Sequence, residues 1–369
     1  CRKAADSYAR ATTSRTGVLD CSKLHTYKYN EDLFKKVTTL ADGKNHGLVF
    51  VLDWSGSMGY VMKDTIKQLF NLIWFCNKVN IPFEVYAFTN EWNETAWNDQ
   101  GNLVEHQDHY EAEVGLLLVS PDFSMMNLLS SKVKDIDKQM LNLWRVVESL
   151  YSYPHTMTTP RKLGLSGTPL NEALISLHQI LPTFQKEHNI QKVQCIVLTD
   201  GEANHIPYHV IVKRPWEEEE YIGRNNLRPN TFIRDRKLGT TYSIGYRWFQ
   251  FTNTLLTNLK DRFPNTNFIG IRILEGRDAS SFIKMHNNDE YNENYIKTMK
   301  EWKKHRSFTI KTSGYDAYFA MSATSLAADP EFDVDEGATK AKIKSAFIKS
   351  LKTKKLNKKV LGEFISLVA

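Results

Sequence analysis

Residues 48–53, LVFVLD, stay apolar up to a closing aspartate, and WSGSM follows. A short apolar run bounded by turn residues reads as a strand buried on both faces. Gly43 and Gly47 punctuate the step into it. In 60–79, Met62, Ile66, Leu69, Ile73 and Cys76 fall on one helical face, and PFEVYAF at 82–88 reads as a second strand. Strand, helix, strand is the unit of a parallel sheet. The pattern continues with a helix in PLNEALISLHQIL (169–181) and a strand in VQCIVLTD (193–200), which again ends in aspartate. NFIGIRIL (267–274) reads as a strand, 280–303 as helical, and 306–321 as a return to the sheet. Strands and helices alternate throughout, which sets the class as α/β.

Two segments interrupt the alternation. Residues 89–165 and 203–265 are too long for ordinary connections and read as functional insertions. Residues 1–44 form a basic, aromatic arm with weak periodicity, expected to hold one or two helices. Residues 326–369 form a basic tail in which Ile343, Phe347 and Leu351 share a helical face. The central domain is therefore 45–325. No internal repeat is present.

Composition changes this picture little. The chain has 369 residues, of which 41% are hydrophobic and 24% charged, so a sizeable core can form. A net charge of +6 is too small and diffuse to imply nucleic acid. The placement of charge is more informative. From Val79 to Ser131 there are nine acids and no lysine or arginine, whereas 340–359 holds nine lysines and no acid. Each run reads either as a solvated face or as a docking surface. Cys1, Cys21, Cys76 and Cys195 are widely spaced, and Cys76 and Cys195 sit in apolar stretches that predict buried thiols. This usage points to a reducing, cytoplasmic setting. No apolar run approaches the ~18 residues of a membrane span, and no signal peptide is visible. The chain opens on Cys1 rather than methionine, so upstream sequence is expected to be missing.

The chemistry-bearing residues gather at strand ends. In an open parallel sheet, ligands lie beyond the carboxyl ends of strands, where strand order reverses. Asp53 ends one strand and Asp200 another; Ser55 and Ser57 follow the first, and Thr168 in LSGTPLNEAL stands just before a helix. Two carboxylates and three hydroxyls suit Mg2+ or a similar ion such as Mn2+, which take hard oxygen ligands and keep several waters. The set holds no imidazole or thiolate, which argues against zinc and copper. The alternative is that Asp53 and the serines merely cap the next helix. Trp54, Met58 and Tyr60 flank this loop and, if exposed, would form an apolar rim suited to a partner. His106 and His109, amid acids, read as a solvated helix face, and His205 with His209 lacks enough nearby ligands for a metal. There is no Gly-x-x-x-x-Gly-Lys-Ser/Thr loop, no Gly-x-Ser-x-Gly elbow and no His-Glu-x-x-His.

Asp-x-Ser-x-Ser, then Thr, then Asp-Gly resembles the metal-ion-dependent adhesion site of von Willebrand factor A domains. The resemblance covers roughly 45–325 and implies a doubly wound, mostly parallel sheet flanked by helices, with Asp53, Ser55, Ser57, Thr168 and Asp200 at the five metal positions. RTGVLDCSKLHTYKYNEDLFKK, followed by the first strand and SGSM, resembles the carboxyl-terminal part of CobT, the large subunit of aerobic cobaltochelatase, and the CobT-like proteins of large tailed bacteriophages. That resemblance implies a non-ATPase subunit in cobalamin biosynthesis. Its partners would be CobS, a MoxR-type AAA+ ring ATPase, and a CobN-like chelatase subunit, in the cytoplasm (the host's, if viral). The alternative is a non-enzymatic adaptor coupling a MoxR-type ATPase to protein remodelling. Trp54 departs from the polar residue common at its position.

Overall fold

The computed structural model describes the backbone of Thr12–Leu19 and Phe34–Thr39. It also describes residues 46–325, apart from 91–95, 98–102, 105–111, 121, 152–158, 161–162, 204–205, 217, 230, 246–248, 277, 288–292 and 311–313. The tail and the His106/His109 segment lie outside the described residues, as does His205. Thr12–Leu19 (β1) and Phe34–Thr39 (β2) pair antiparallel, so the arm contains a pair of strands where helices were expected. β-branched Thr12, Thr13, Val37, Thr38 and Thr39 favour that outcome.

The body is a mixed α/β unit built on a mostly parallel sheet flanked by helices. His46–Asp53 (β3), Phe83–Thr89 (β4), Lys192–Thr199 (β8), Thr266–Leu274 (β13) and Ala317–Ser322 (β15) run parallel. Ser124–Ser130 (β7) and Ser307–Ile310 (β14) add antiparallel edges. The order is β14-β15-β13-β8-β3-β4-β7. From β3 the sheet grows one way through β4 and the other way through β8, so strand order reverses between β3 and β8. Short pairs Ala96–Trp97 (β5) with Leu103–Val104 (β6), Pro207–Val212 (β9) with Tyr221–Asn226 (β10), and Phe232–Arg234 (β11) with Thr241–Ser243 (β12) lie outside this sheet.

Alternation along the strands feeds two cores. Leu48, Phe50 and Leu52 face Met62–Val79 (α1) and Ile136–Ser149 (α2), which contribute Ile66, Ile73, Leu143 and Val147. Val49, Val51, Val193, Cys195 and Val197 face Leu170–His188 (α3), Phe249–Arg262 (α4), Ala279–Asn287 (α5) and Glu293–His305 (α6). With both faces covered, the strands are largely apolar on both faces, as the sequence pattern anticipated. Cys76 and Cys195 are buried free thiols, as expected, and burial pushes the Cys76 thiol up to about 12. The stretch read as helical over 280–303 holds α5 and α6.

Both expected insertions shrink. β7 and α2 lie within 89–165 yet belong to the sheet and its cover, and α4 lies within 203–265 and packs on the core. What remains, 90–123 and 201–245, leaves the carboxyl ends of β4 and β8. The two remnants join: Leu117 bridges Tyr208, and the amides of Gly115 and Leu118 donate to the carbonyls of His209 and Pro207 at 2.8 Å each. Arg236 of the second lies 3.7 Å from Glu113 of the acidic first. Among the described residues no helix is long and apolar enough to cross a membrane.

Leu177 is fully buried on the sheet-facing side of α3, whereas Leu141 on α2 is exposed. Leu177→Ala should cost about 2–5 kcal/mol in urea unfolding, because it removes packed methyl groups and leaves a cavity. Leu141→Ala should change stability by no more than about 0.5 kcal/mol. Equal costs would mean that the α3 face is not the core.

Candidate functional site

Asp53 is the last residue of β3 and is completely buried. It shares the parity of Val49 and Val51, so its side chain lies on the α3 face. Thr199 ends β8 with the parity of Val193, Cys195 and Val197. Leu52 pairs with Leu198, so Asp53 and Thr199 are neighbours one step further on. The Thr199 hydroxyl donates to Asp53 Oδ2 at 2.5 Å. Asp53 Oδ1 is buried with no hydrogen-bond partner among the described residues. Burial pushes the Asp53 carboxyl up from 3.8 to about 7; the Thr199 and Ser55 hydroxyls oppose the shift, the Asp200 carboxylate adds to it, and Arg272 opposes it.

The loop after β3 is laced to the loop before α3. Gly56 N donates to Ser166 O at 2.6 Å, Ser166 N donates to Trp54 O at 3.3 Å, and Ser55 bridges Ser166 in parallel. The Trp54 indole donates to Leu163 O at 2.8 Å. Asn90, just past β4, accepts from Gly167 N at 2.8 Å. That carboxamide leaves no room for a side chain at residue 167, which accounts for the glycine before Thr168. Behind the loop, Tyr151 donates to the Gly59 carbonyl, and Lys63 pairs with Glu148 at 2.9 Å. The loops after β3 and β4 and the loop before α3 are thus fixed against one another.

Four of the five expected metal positions are tied together by short contacts. The Ser55 and Ser57 hydroxyls lie 3.0 Å apart, and Ser57 donates to Asp200 Oδ1 at 2.8 Å. Asp53 joins through Thr199, the residue before Asp200. Thr168 borders the same loop, since a Cβ on Gly201 would lie 3.1 Å from its hydroxyl. Ser55 makes no side-chain cap to the following 3-10 turn, Gly56–Tyr60, and α1 has no side-chain cap either. Capping therefore does not explain these residues. Asp200 is half-buried and its carboxyl is raised by burial, against the pull of Ser57 and Arg272.

Hard oxygen donors, two of them carboxylates, and one buried oxygen left without a partner fit a divalent cation of the Mg2+ type. Among the described residues no cluster of three or more His, Cys, Asp or Glu side chains forms. The set here has two carboxylates, with hydroxyls as its other donors.

The expected apolar rim does not form. Trp54 and Met58 are fully buried, and of the three flanking residues Tyr60 alone stays accessible, at 48%. Trp54 continues the parity of Leu48, Phe50 and Leu52 into the α1 core. The sequence reading also missed Thr199, Asn90 and Arg272. Arg272, on β13, is buried beside Glu202 at 3.5 Å and stacks over Phe282 at 5.1 Å. Its charge reaches both Asp53 and Asp200. Thr199 was within reach of a register argument from two runs that both end at an aspartate.

No family model and no curated protein matches the chain. Among solved structures it is similar to the pilus adhesin SpaC of Lactobacillus rhamnosus GG. In the open conformation the identity is 12% and the TM-score 0.35, over 88% of this chain and 31% of the adhesin. In another form of the adhesin the values are 14% and 0.38, over 84% and 31%. The chain thus spans less than a third of the adhesin's length, and similarity at this level carries no argument about function.

The raised Asp53 carboxyl has a signed consequence for stability. Between about pH 4 and about pH 7 the folded state holds a proton that the unfolded state has released. Cation-free protein should therefore lose stability relative to Asp53→Asn as pH rises through that window, by roughly 2–4 kcal/mol. Urea unfolding of both proteins in chelator checks this. A stability difference that is flat with pH would show that Asp53 ionises normally.

Proposed function

We propose that the chain is a von Willebrand A-type, doubly wound domain that binds a divalent cation and uses it to dock a partner protein. Asp53, Ser55, Ser57, Thr168 and Asp200 would hold the ion, directly or through water. Support comes above all from Asp53 Oδ1, a buried carboxylate oxygen with no hydrogen-bond partner among the described residues, at the point where strand order reverses. Buried acceptors of this kind are rare in folded proteins and call for an explanation. The sheet order, with its single antiparallel strand beyond β4, adds to the case for the fold type.

Bound there, a cation would supply a hard Lewis acid able to attract a partner's carboxylate. The protein's own part is positional. Thr199 fixes one Asp53 oxygen. Ser57 orients Asp200, and Asn90 with Trp54 locks the two loops that carry Ser55, Ser57 and Thr168. Asp53 must give up its proton to take the ion, so binding is linked to pH.

The resemblance to CobT extends this proposal to a subunit of a cobaltochelatase-like complex that works with a MoxR-type ring ATPase. No phosphate-binding loop is present, so ATP hydrolysis would reside in the partner.

Calorimetry with Mg2+ near pH 6.5 should show one binding event that Asp53→Asn abolishes and Ser57→Ala weakens. Repeating it in buffers of different ionisation heat should show net proton release, up to about one per ion. No binding heat in the wild type at any pH would remove the metal assignment. A native-host pull-down tests the partner. A ring ATPase should co-purify in Mg2+ and be lost in chelator or with Asp53→Asn, and pure protein alone should not turn over ATP. Capture of the ATPase with a CobN-like subunit would favour a chelatase, and capture with other protein cargo an adaptor.

A further inference from the structure

Arg272 of β13 stands directly opposite Thr199 of β8, and Thr199 is the neighbour of Asp53 on β3. Arg272 shares the parity of Phe268 and Leu274, so all three residues lie on the α3 face. A carboxylate, a hydroxyl and a guanidinium thus form one row across three adjacent strands at the carboxyl rim. The Arg272 side chain is only 10% exposed. A buried guanidinium is unfavourable unless its N–H groups are paired. Yet Arg272 Nε and Nη1 have no hydrogen-bond partner among the described residues, and neither has Glu202 Oε1. Nη1 and that oxygen lie 3.5 Å apart. Such an ion pair is longer than the roughly 2.7–2.9 Å of a charge-assisted hydrogen bond. The flat face of the guanidinium rests over Phe282 at 5.1 Å.

This one cation is shared by three carboxylates. Its field reaches Asp53 and Asp200 as well as Glu202. Tyr60, Tyr315, Tyr318 and His286 feel it too, but burial keeps the phenols protonated and the imidazole neutral, so they offer it no anion. Asp53 Oδ1 is the acceptor that no described group satisfies. Two strand spacings, roughly 10 Å, separate the backbones of Arg272 and Asp53. An extended arginine and an aspartate together span that gap. The row therefore has two arrangements. In one, Glu202 holds the guanidinium and Asp53 Oδ1 stays open. In the other, the guanidinium crosses to Asp53 and stands where a cation would.

We propose that Glu202 is a positioning residue for cation binding: it holds the Arg272 guanidinium back from Asp53, and without it Arg272 closes the site as an internal counter-ion. The proposal rests on the cation reading above, but the choice Arg272 makes between carboxylates is measurable without the ion.

Calorimetry with Mg2+ at about pH 8, where Asp53 is ionised in the folded protein, tests the first part. Glu202→Gln keeps the shape of the side chain and removes its charge. It should weaken Mg2+ binding by roughly tenfold or more, because the open arrangement becomes the minor one. Arg272→Met keeps an apolar stem and removes the competitor. In that background Glu202→Gln should change affinity by less than about threefold. A Glu202 that acted only through its own field, or only through the fold, would weaken binding equally in both backgrounds, and that result would overturn the proposal. Where Glu202→Gln alone fails to fold, Arg272→Met with and without it still decides: matching affinities support the proposal and a tenfold loss overturns it. The second part uses urea unfolding in chelator at the same pH. The shift in midpoint on Asp53→Asn should be less favourable in Glu202→Gln than in wild type, because there the substitution also breaks an Asp53–Arg272 pair. Adding Arg272→Met should abolish that difference. Equal shifts in every background would overturn the proposal. A wild type that takes up no Mg2+ removes the cation reading alone, and the chelator comparison then decides whether Glu202 holds Arg272 back.

Discussion

The contact between Asp53 and Thr199 depends on a constraint set well away from it. Five parallel strands are covered on both faces, so their polar backbone ends and any ionisable side chains can gather only at the rims. At the carboxyl rim, β3 and β8 are neighbours in the sheet although 146 positions separate Asp53 from Thr199. Their register brings a buried carboxylate to a hydroxyl. That hydroxyl satisfies one oxygen, and the other is buried with no hydrogen-bond partner among the described residues. A folded chain normally avoids such an oxygen, because burying an acceptor without a partner is unfavourable. Keeping it makes physical sense where something positively charged is to arrive. The neighbouring Asp200, aligned by Ser57, supplies the second carboxylate.

The surroundings of Asp53 keep this arrangement from collapsing on itself. Arg272 is buried one strand over from Asp200 and lowers the cost of ionising both acids, yet it pairs with Glu202. A direct salt bridge to Asp53 would have filled the free oxygen and closed the site. Trp54 and Met58 act from below. By filling the α1 core they hold the loop down, while the Trp54 indole ties it to Leu163.

Much of this was legible in the sequence because it is local. Unbroken apolar runs ending in aspartate mark strands buried on both faces, and Asp53, Ser55, Ser57, Thr168 and Asp200 could be picked out as hard-oxygen donors from residue type and position. The misses have two causes. Thr199 and Asn90 matter through strand adjacency, which no single-sequence pattern reports. Others were visible but outweighed. Trp54 extends the period-two pattern of Leu48, Phe50 and Leu52 by one step, and that parity already pointed inward. β7 and α2 were absorbed into a presumed insertion because β7 is an edge strand with only its last two residues buried, which weakens the apolar signal. α2 does carry helical spacing in Ile136, Met140, Leu143 and Val147, and that spacing could have rescued it.

The true insertions share an origin with the site. One leaves the carboxyl end of β4 and the other the carboxyl end of β8, so both depart from the rim that carries Asp53 and Asp200, and they join through residues 115–118 and β9. An insertion at the opposite rim would have had no bearing on the site. Because residues 115–118 bond to β9, the two long connections leave that rim as one joined unit rather than as two separate loops, at the same end of the sheet as the hard oxygens of Asp53, Ser55, Ser57, Thr168 and Asp200.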